Sequence, residues 1–146
     1  MIEPSVLVVD DEVQFVETLV KRLVKRGVKV KSAHSGQQAL DTLAGSGATR
    51  TDVIILDVKM PGMDGLETLA AIKEEHPLIE VIMLTGHATV ESAIEGMKNG
   101  AYDYLMKPCD LDLLMAKLNE AAIKKREHET KILEARATMI SLRRGD

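Results

Sequence analysis

Three aspartates, one threonine and one lysine stand at the ends of apolar runs in this chain. Asp10 and Asp11 follow the apolar part of VLVVDDE (6–12), Asp57 closes DVIILD (52–57), Thr85 closes EVIMLT (80–85) and Lys107 closes AYDYLMK (101–107). If the ends of these runs meet, three carboxylates share a few ångströms and do not all stay ionised without a counter-charge. A hard divalent cation supplies one. Mg²⁺ takes one or two carboxylates, keeps several waters and is completed by phosphate oxygens. Lys107 is a mobile point cation suited to a phosphoryl oxygen, and the Thr85 hydroxyl can donate to another. Metal, lysine and hydroxyl together offset the charge spread over phosphoryl oxygens during transfer. One carboxylate then acts as nucleophile and forms an aspartyl-phosphate. Asp57 is the residue for that role. It stands alone at the end of its run and precedes VKMPGMDG, where Pro61, Gly62 and Gly65 shape a turn that exposes backbone amides. Gly86, next to Thr85, is placed with Thr85 and Lys107 as a phosphoryl-binding position.

The runs imply the elements that carry these residues. Five short apolar stretches (5–9, 28–33, 52–57, 80–85 and 101–107) each precede a stretch with helical spacing. VKVKSA alternates as an edge strand does, whereas DVIILD and EVIMLT are continuously apolar, as central parallel strands are. The first helix, from about Glu12 to Arg26, sets Val13, Val16, Leu19, Val20, Leu23 and Val24 on one stripe and stops at Gly27. Ser35 and Asp110 are N-caps for the second and fifth helices, the third starts near Asp64 and ends before Pro77, and the fourth runs from Thr89 to Asn99. Five strand–helix alternations predict an α/β fold. It is a flavodoxin-like, doubly wound (βα)5 sheet of five parallel strands in the order 2-1-3-4-5, with an extended C-terminal helix. Sites in such sheets form beyond the C-terminal ends of the strands, where the five residues stand.

Composition narrows the class. The chain has 146 residues, 45% hydrophobic and 29% charged, enough for one ordinary domain with a core. No apolar run is long enough for a membrane span, and the start carries no signal-peptide pattern. A single cysteine, Cys109, excludes an intramolecular disulfide and fits a cytoplasmic protein. Phe15, Tyr102 and Tyr104 are the only aromatics, too few for a base-stacking surface, so no direct nucleic-acid binding is expected. Residues 124–146 carry seven basic and four acidic side chains, against 12 and 19 in residues 1–123. That basic tail reads as a solvated helix face.

The set VVDDE, ILDVKMPGMDG, MLTGHA and YDYLMKP resembles the receiver domain of bacterial two-component response regulators, over about residues 4–122. The resemblance implies that Asp57 accepts a phosphoryl group from a histidine kinase or phosphotransfer protein. It implies that Asp10, Asp11, Asp57 and the Lys59 backbone carbonyl hold Mg²⁺. Thr85 and Tyr104 are then the switch residues, and the fourth helix, fifth strand and fifth helix present the altered face. Lys59 and His87 form the rim. Such a domain is a phosphoacceptor with slow self-dephosphorylation rather than an enzyme. Acids also favour a helix N-terminus by about 0.3–1 kcal/mol, but that leaves Asp57, Thr85 and Lys107 unexplained. A Mg²⁺-dependent phosphatase acting through an aspartyl-phosphate needs a second acid two residues after the nucleophile, where Lys59 stands.

Residues 1–123 form the receiver and 124–146 an extension of the fifth helix. Leu111, Leu114, Leu118, Ala121, Lys125, His128, Ile132, Ala135, Met139 and Leu142 follow alternating spacings of three and four, a heptad seam with two polar interruptions. It predicts a two-stranded coiled coil in a homodimer through this helix and the switch face, the alternative being a partly helical linker. TGHATVESAIEGMKNGAYDYLMKP resembles receivers of the nitrogen-regulator type, so the alternative is the N-terminal part of such a transcription activator. The chain itself has no GxxxxGK[ST] loop and no length for a helix-turn-helix domain.

Overall fold

The computed structural model describes residues 3–45 and 50–145, so Met1, Ile2 and Asp146 of the two expected segments lie outside it. Five parallel strands, β1 (Ser5–Val9), β2 (Lys29–Ala33), β3 (Val53–Leu56), β4 (Glu80–Thr85) and β5 (Asp103–Met106), form one sheet in the order β2-β1-β3-β4-β5. Helices α1 (Val13–Lys25), α2 (Gly36–Leu43), α3 (Gly65–Glu75), α4 (Val90–Lys98) and α5 (Leu111–Arg144) alternate with them. Fold class and strand order are those expected from the alternation.

The central strands are apolar on both faces because both are covered. Val6, Val8, Val53, Ile55, Ile82 and Leu84 face the α1 and α5 side, where Leu23, Leu114 and Leu118 are buried. Their neighbours Leu7, Val9, Ile54, Leu56, Val81 and Met83 face α2 and α3, represented by Leu43, Leu69 and Ile72. A period of two distributes one strand between two cores. β2 is the exposed edge, with only Ala33 fully buried. β5 is shorter than the apolar run suggested, beginning at Asp103 rather than 101.

Helix starts follow side-chain chemistry. Ser35 accepts from the Gln38 amide, Asp64 and Glu67 form a capping box, Thr89 and Ser92 form another, and Asp110 accepts from the Asp112 amide. Gly27, at φ 84°, ends α1 in the left-handed conformation that a side chain resists. The α1 stripe is narrower than its spacing implied. Val16, Leu19 and Leu23 are buried, but Val13 and Val24 are about half exposed because they flank the centre of the stripe.

The basic tail departs most from the sequence reading. Lys125 is buried rather than solvated, and Lys124 and Arg126, although partly exposed, turn inward. They reach acids buried under the sheet, at the N-terminal ends of β3 and β4. Arg126 grips Asp52 with two nitrogens, Nε to Oδ1 at 3.1 Å and Nη2 to Oδ2 at 2.8 Å. The Ser5 amide donates to the same carboxylate at 2.9 Å. Lys125, only 3% exposed, lies 3.6 Å from Asp52 and 2.9 Å from Glu129. Lys124 pairs with Glu80 at 3.0 Å, and Lys73 donates to Glu80 and to the Pro77 and Ile79 carbonyls. The first half of the heptad seam is likewise spent on the receiver, since Leu114, Leu118, Ala121 and Lys125 are buried in it. From Lys131 to Gly145 every side chain of the helix is exposed.

Burial alone raises the Asp52 carboxyl, but the Arg126 hydrogen bonds, the Ser5 amide and both cations outweigh it and hold its pKa below the ordinary 3.8. A depressed carboxylate pKa contributes stability that is complete above the unfolded value and is lost as pH falls through the folded one. Replacing Asp52 with Ala is expected to cost about 3–5 kcal/mol near neutral pH, because it strands buried cations. In urea titrations the gap to the parent narrows as pH falls below about 4; a pH-independent gap contradicts this assignment.

Candidate functional site

The sheet ladder carries each key residue one step past its strand. The Asp10 amide donates to the Ala33 carbonyl at 3.1 Å, the Asp57 amide to Val9 at 3.0 Å and the Lys107 amide to Thr85 at 2.9 Å. These bonds fix the backbone of Asp10, Asp57 and Lys107 while leaving their side chains to converge. One carboxylate oxygen from each of Asp10, Asp11 and Asp57 lies within 4.8 Å of the others. Asp10 and Asp57 are each 2% exposed, whereas Asp11 faces solvent.

Asp10 is fully engaged. Its Oδ1 accepts from the Glu12 amide at 2.9 Å, and its Oδ2 accepts from Lys107 Nζ at 2.6 Å. Glu12 lies 3.5 Å from the same ammonium and makes no side-chain cap on α1. Lys107 also sits 3.9 Å over the centre of the Phe15 ring. Burial disfavours the ammonium, yet the hydrogen bond and charge of Asp10, with Asp57 and Glu12, hold its pKa above the ordinary lysine value. Lys107 is therefore a fixed cation at neutral pH. Gly86 is next to it: a Cβ there would stand in ordinary contact, 3.9 Å from Lys107 Cδ.

Asp57 is the strained member. Its Oδ1 is buried without a hydrogen-bond partner. Burial pushes its carboxyl above the ordinary range and the Asp10 charge adds to the rise, while the Thr85 hydroxyl, Lys107 and the Val58 amide oppose it. An orphaned carboxylate oxygen beside two further acids fits a divalent cation, which would be ligated from Asp10, Asp11 and Asp57. Beneath Asp57, Gly65 donates its amide to the Val58 carbonyl at 2.6 Å. A Cβ at Gly65 would lie 1.9 Å from the Asp57 carbonyl oxygen, so only glycine lets α3 start there.

The remaining expected residues surround this centre. Thr85 is fully buried and its hydroxyl accepts the His87 amide at 3.0 Å. Tyr104 is half-buried against the α2–α3 core, its hydroxyl 2.5 Å from Ser92 of α4. Lys59 and His87 are exposed and border one open groove of about 400 Å³ with Val58, Thr89 and Ser92. Tyr102 packs against the other core and donates to Glu120. Two contacts lacked any signal in the sequence. Phe15 is on the site side of α1 through helix geometry alone. His34, which shows no ligand spacing, has its Nδ1 3.2 Å from the Asp10 carbonyl at the end of the adjacent strand. Burial raises the Cys109 thiol, consistent with a packing role.

Five parallel strands with this acid, hydroxyl and lysine set at their C-terminal ends define a doubly wound α/β domain with its polar crevice beyond the strand ends. The chain belongs to the response regulator receiver domain family, whose profile matches residues 6–119. It is 36% identical over 138 residues to the transcriptional regulatory protein ZraR of Klebsiella oxytoca, covering 94% of this chain and 30% of that protein. It is 38% identical over 115 residues to the DNA-binding transcriptional regulator NtrC of Klebsiella pneumoniae, covering 78% and 24%. The chain thus spans about a quarter to a third of the length of these relatives. A receiver domain structure from Clostridium thermocellum matches with a TM-score of 0.80 at 35% identity, covering 84% of this chain and 97% of that one. NtrX of Brucella abortus matches at 0.79 and 30%, covering 90% and 30%.

Three acids facing one ammonium leave uncompensated charge, so Asp57→Asn is expected to melt higher than the parent in chelator at neutral pH. Each kcal/mol of relief corresponds to about 3–6 °C for a chain of this length. Mg²⁺ raises the parent's melting temperature more than the variant's. Calorimetry showing a lower melting temperature for the variant in chelator contradicts this picture.

Proposed function

We propose that this receiver is a phosphorylation-controlled switch in which Asp57 accepts a phosphoryl group from the phosphohistidine of a histidine kinase or phosphotransfer protein. The observation that carries the reading is the unpartnered, buried Oδ1 of Asp57 amid Asp10, Asp11, Thr85 and Lys107. A carboxylate oxygen of Asp57 attacks phosphorus, and the P–N bond to the donor imidazole breaks with its electron pair leaving on nitrogen. Mg²⁺, held by Asp10, Asp11, Asp57 and the Lys59 carbonyl, supplies the counter-charge that three acids and a phosphoryl group require. Lys107 neutralises a phosphoryl oxygen, the Thr85 hydroxyl donates to another, and the Gly86 backbone borders them.

Signal leaves through Thr85 and Tyr104. The Tyr104 hydroxyl bridges β5 to Ser92 on α4, so a change at Tyr104 is felt by that helix. Val90, Ile94, Met97, Met106 and Leu113 expose apolar surface on α4, β5 and α5. That face and the α5 extension form a homodimer. Lys59 and His87 at the groove rim set access of water to the acyl phosphate, and the domain turns over no diffusible substrate. It works in the cytoplasm, touching neither membrane nor nucleic acid. Among the described residues no helix is long and apolar enough to cross a membrane. A second reading makes the domain the N-terminal part of a nitrogen-regulator-type transcription activator. The 24–30% coverage of ZraR and NtrC favours it, and a full-length transcript tests it.

With Mg²⁺ and acetyl phosphate, intact-mass spectrometry is expected to show one added phosphoryl group that is absent in Asp57→Asn. Asp11→Ala is expected to remove the Mg²⁺ dependence. Label persisting in the Asn variant refutes the acceptor assignment. Sedimentation at tens of micromolar is expected to show a dimer with the donor present, and a monomer under both conditions refutes the dimer.

A further inference from the structure

The charge cluster under the sheet takes no part in phosphoryl chemistry. It lies at the N-terminal ends of β3 and β4, at the pole opposite Asp57. Three consecutive side chains of α5 are used there, each on an acid of the sheet's lower edge. Lys124 is on Glu80, Lys125 on Asp52 and Glu129, and Arg126 on Asp52 and the Glu3 carbonyl, the last at 2.9 Å. Asp52 is 4%, Glu80 6% and Lys125 3% exposed, while Lys124 and Arg126 reach these buried acids from the partly exposed side. Asp52 is itself tied to β1 through the Ser5 amide, and Glu80 to α3 through Lys73. Four elements therefore hold one turn of α5. Above this turn the helix packs on the core, and below it no side chain from Lys131 to Gly145 is buried.

We propose that Asp52, with Arg126 and Lys125, is a fixed pivot that makes the α5 extension a rigid continuation of the receiver body rather than a tethered tail. The proposal names a mechanical role for residues outside the phosphoacceptor site. The upper end of α5, Leu111, stands four residues after Lys107. From Leu111 to the pivot the helix is about 21 Å long, and from the pivot to Arg144 about 28 Å. On the reading that Asp57 is phosphorylated, a displacement of Lys107 and the turn after it swings the free end about the pivot in the opposite sense. The throw at the tip is about 1.3 times that at Leu111.

The test measures a distance within one chain. Spin labels at Gln37→Cys on α2 and Ser141→Cys on the extension, in a Cys109→Ser background, are diluted with unlabelled protein so that pairs within a chain dominate. Pulsed dipolar spectroscopy is expected to give a narrow resting distance distribution. Asp52→Asn is expected to broaden it at least twofold. Arg126→Gln, altered from the partly exposed side of the pair, does the same and serves if the buried substitution unfolds the sheet, as judged by amide exchange of β3 and β4. Acetyl phosphate and Mg²⁺ shift the parent distribution without widening it, and the shift is lost in either variant while phosphoryl incorporation on Asp57 persists. Equal resting widths in parent and folded variants overturn the pivot. So does a parent that incorporates phosphate without a shift. If Asp57 takes no phosphoryl group, the proposed function fails, and the resting widths still decide whether the pivot exists.

Discussion

Lys107 and Asp10 meet at 2.6 Å although 97 residues and two intervening strands separate them. Strands in a sheet lie about 4.8 Å apart, so β1 and β5 are roughly 14 Å from one another across β3 and β4. The contact exists only because both strand ends reach the same level and the turn after β5 leans back over the sheet. A slip of one residue in any ladder would send the side chain to the opposite face. The ion pair is thus a demanding read-out of the whole register. It also keeps the Lys107 ammonium protonated, since the Asp10 hydrogen bond and charge raise its pKa against the effect of burial.

Asp57 experiences the same pocket differently. Asp10 has a donor for each oxygen, whereas Asp57 keeps one oxygen without a partner and lies next to Asp10's negative charge. The contrast separates two roles that composition alone makes equivalent. A carboxylate with a donor at each oxygen is held in place, and one with a buried unpartnered oxygen gains most from a new partner.

Sequence legibility tracked how local each determinant is. Strand–helix alternation, N-caps at Ser35 and Asp110, helix starts near Asp64 and Thr89, and the placement of Asp10, Asp57, Thr85 and Lys107 at strand ends all follow from spacing within a dozen residues. The burial of Lys125 does not. A lysine in a heptad position reads as a polar interruption, and only the tertiary meeting with Asp52, more than seventy residues earlier, turns it into an interior group. Val13 and Val24 show the same limit in reverse. Helical spacing places them on the apolar stripe, but the width of the surface facing α1 decides which valines it covers. Phe15 over Lys107 and His34 against the Asp10 carbonyl are neighbours across elements, with no spacing of their own to announce them.

The tight seat of Gly65 beneath Asp57 has a consequence for how such a pocket can diversify. Because α3 begins against the Asp57 carbonyl oxygen with no room for a methyl group, the main chain of Asp57 is fenced in from below. Lineages that retune the pocket therefore have little freedom in the floor and much in the walls. Substitutions at exposed Lys59 and His87, or at Ala88 in the same groove, change the surroundings of Asp57 without moving its main chain. A glycine that contributes no functional group thus channels variation to positions where change is inexpensive to the fold.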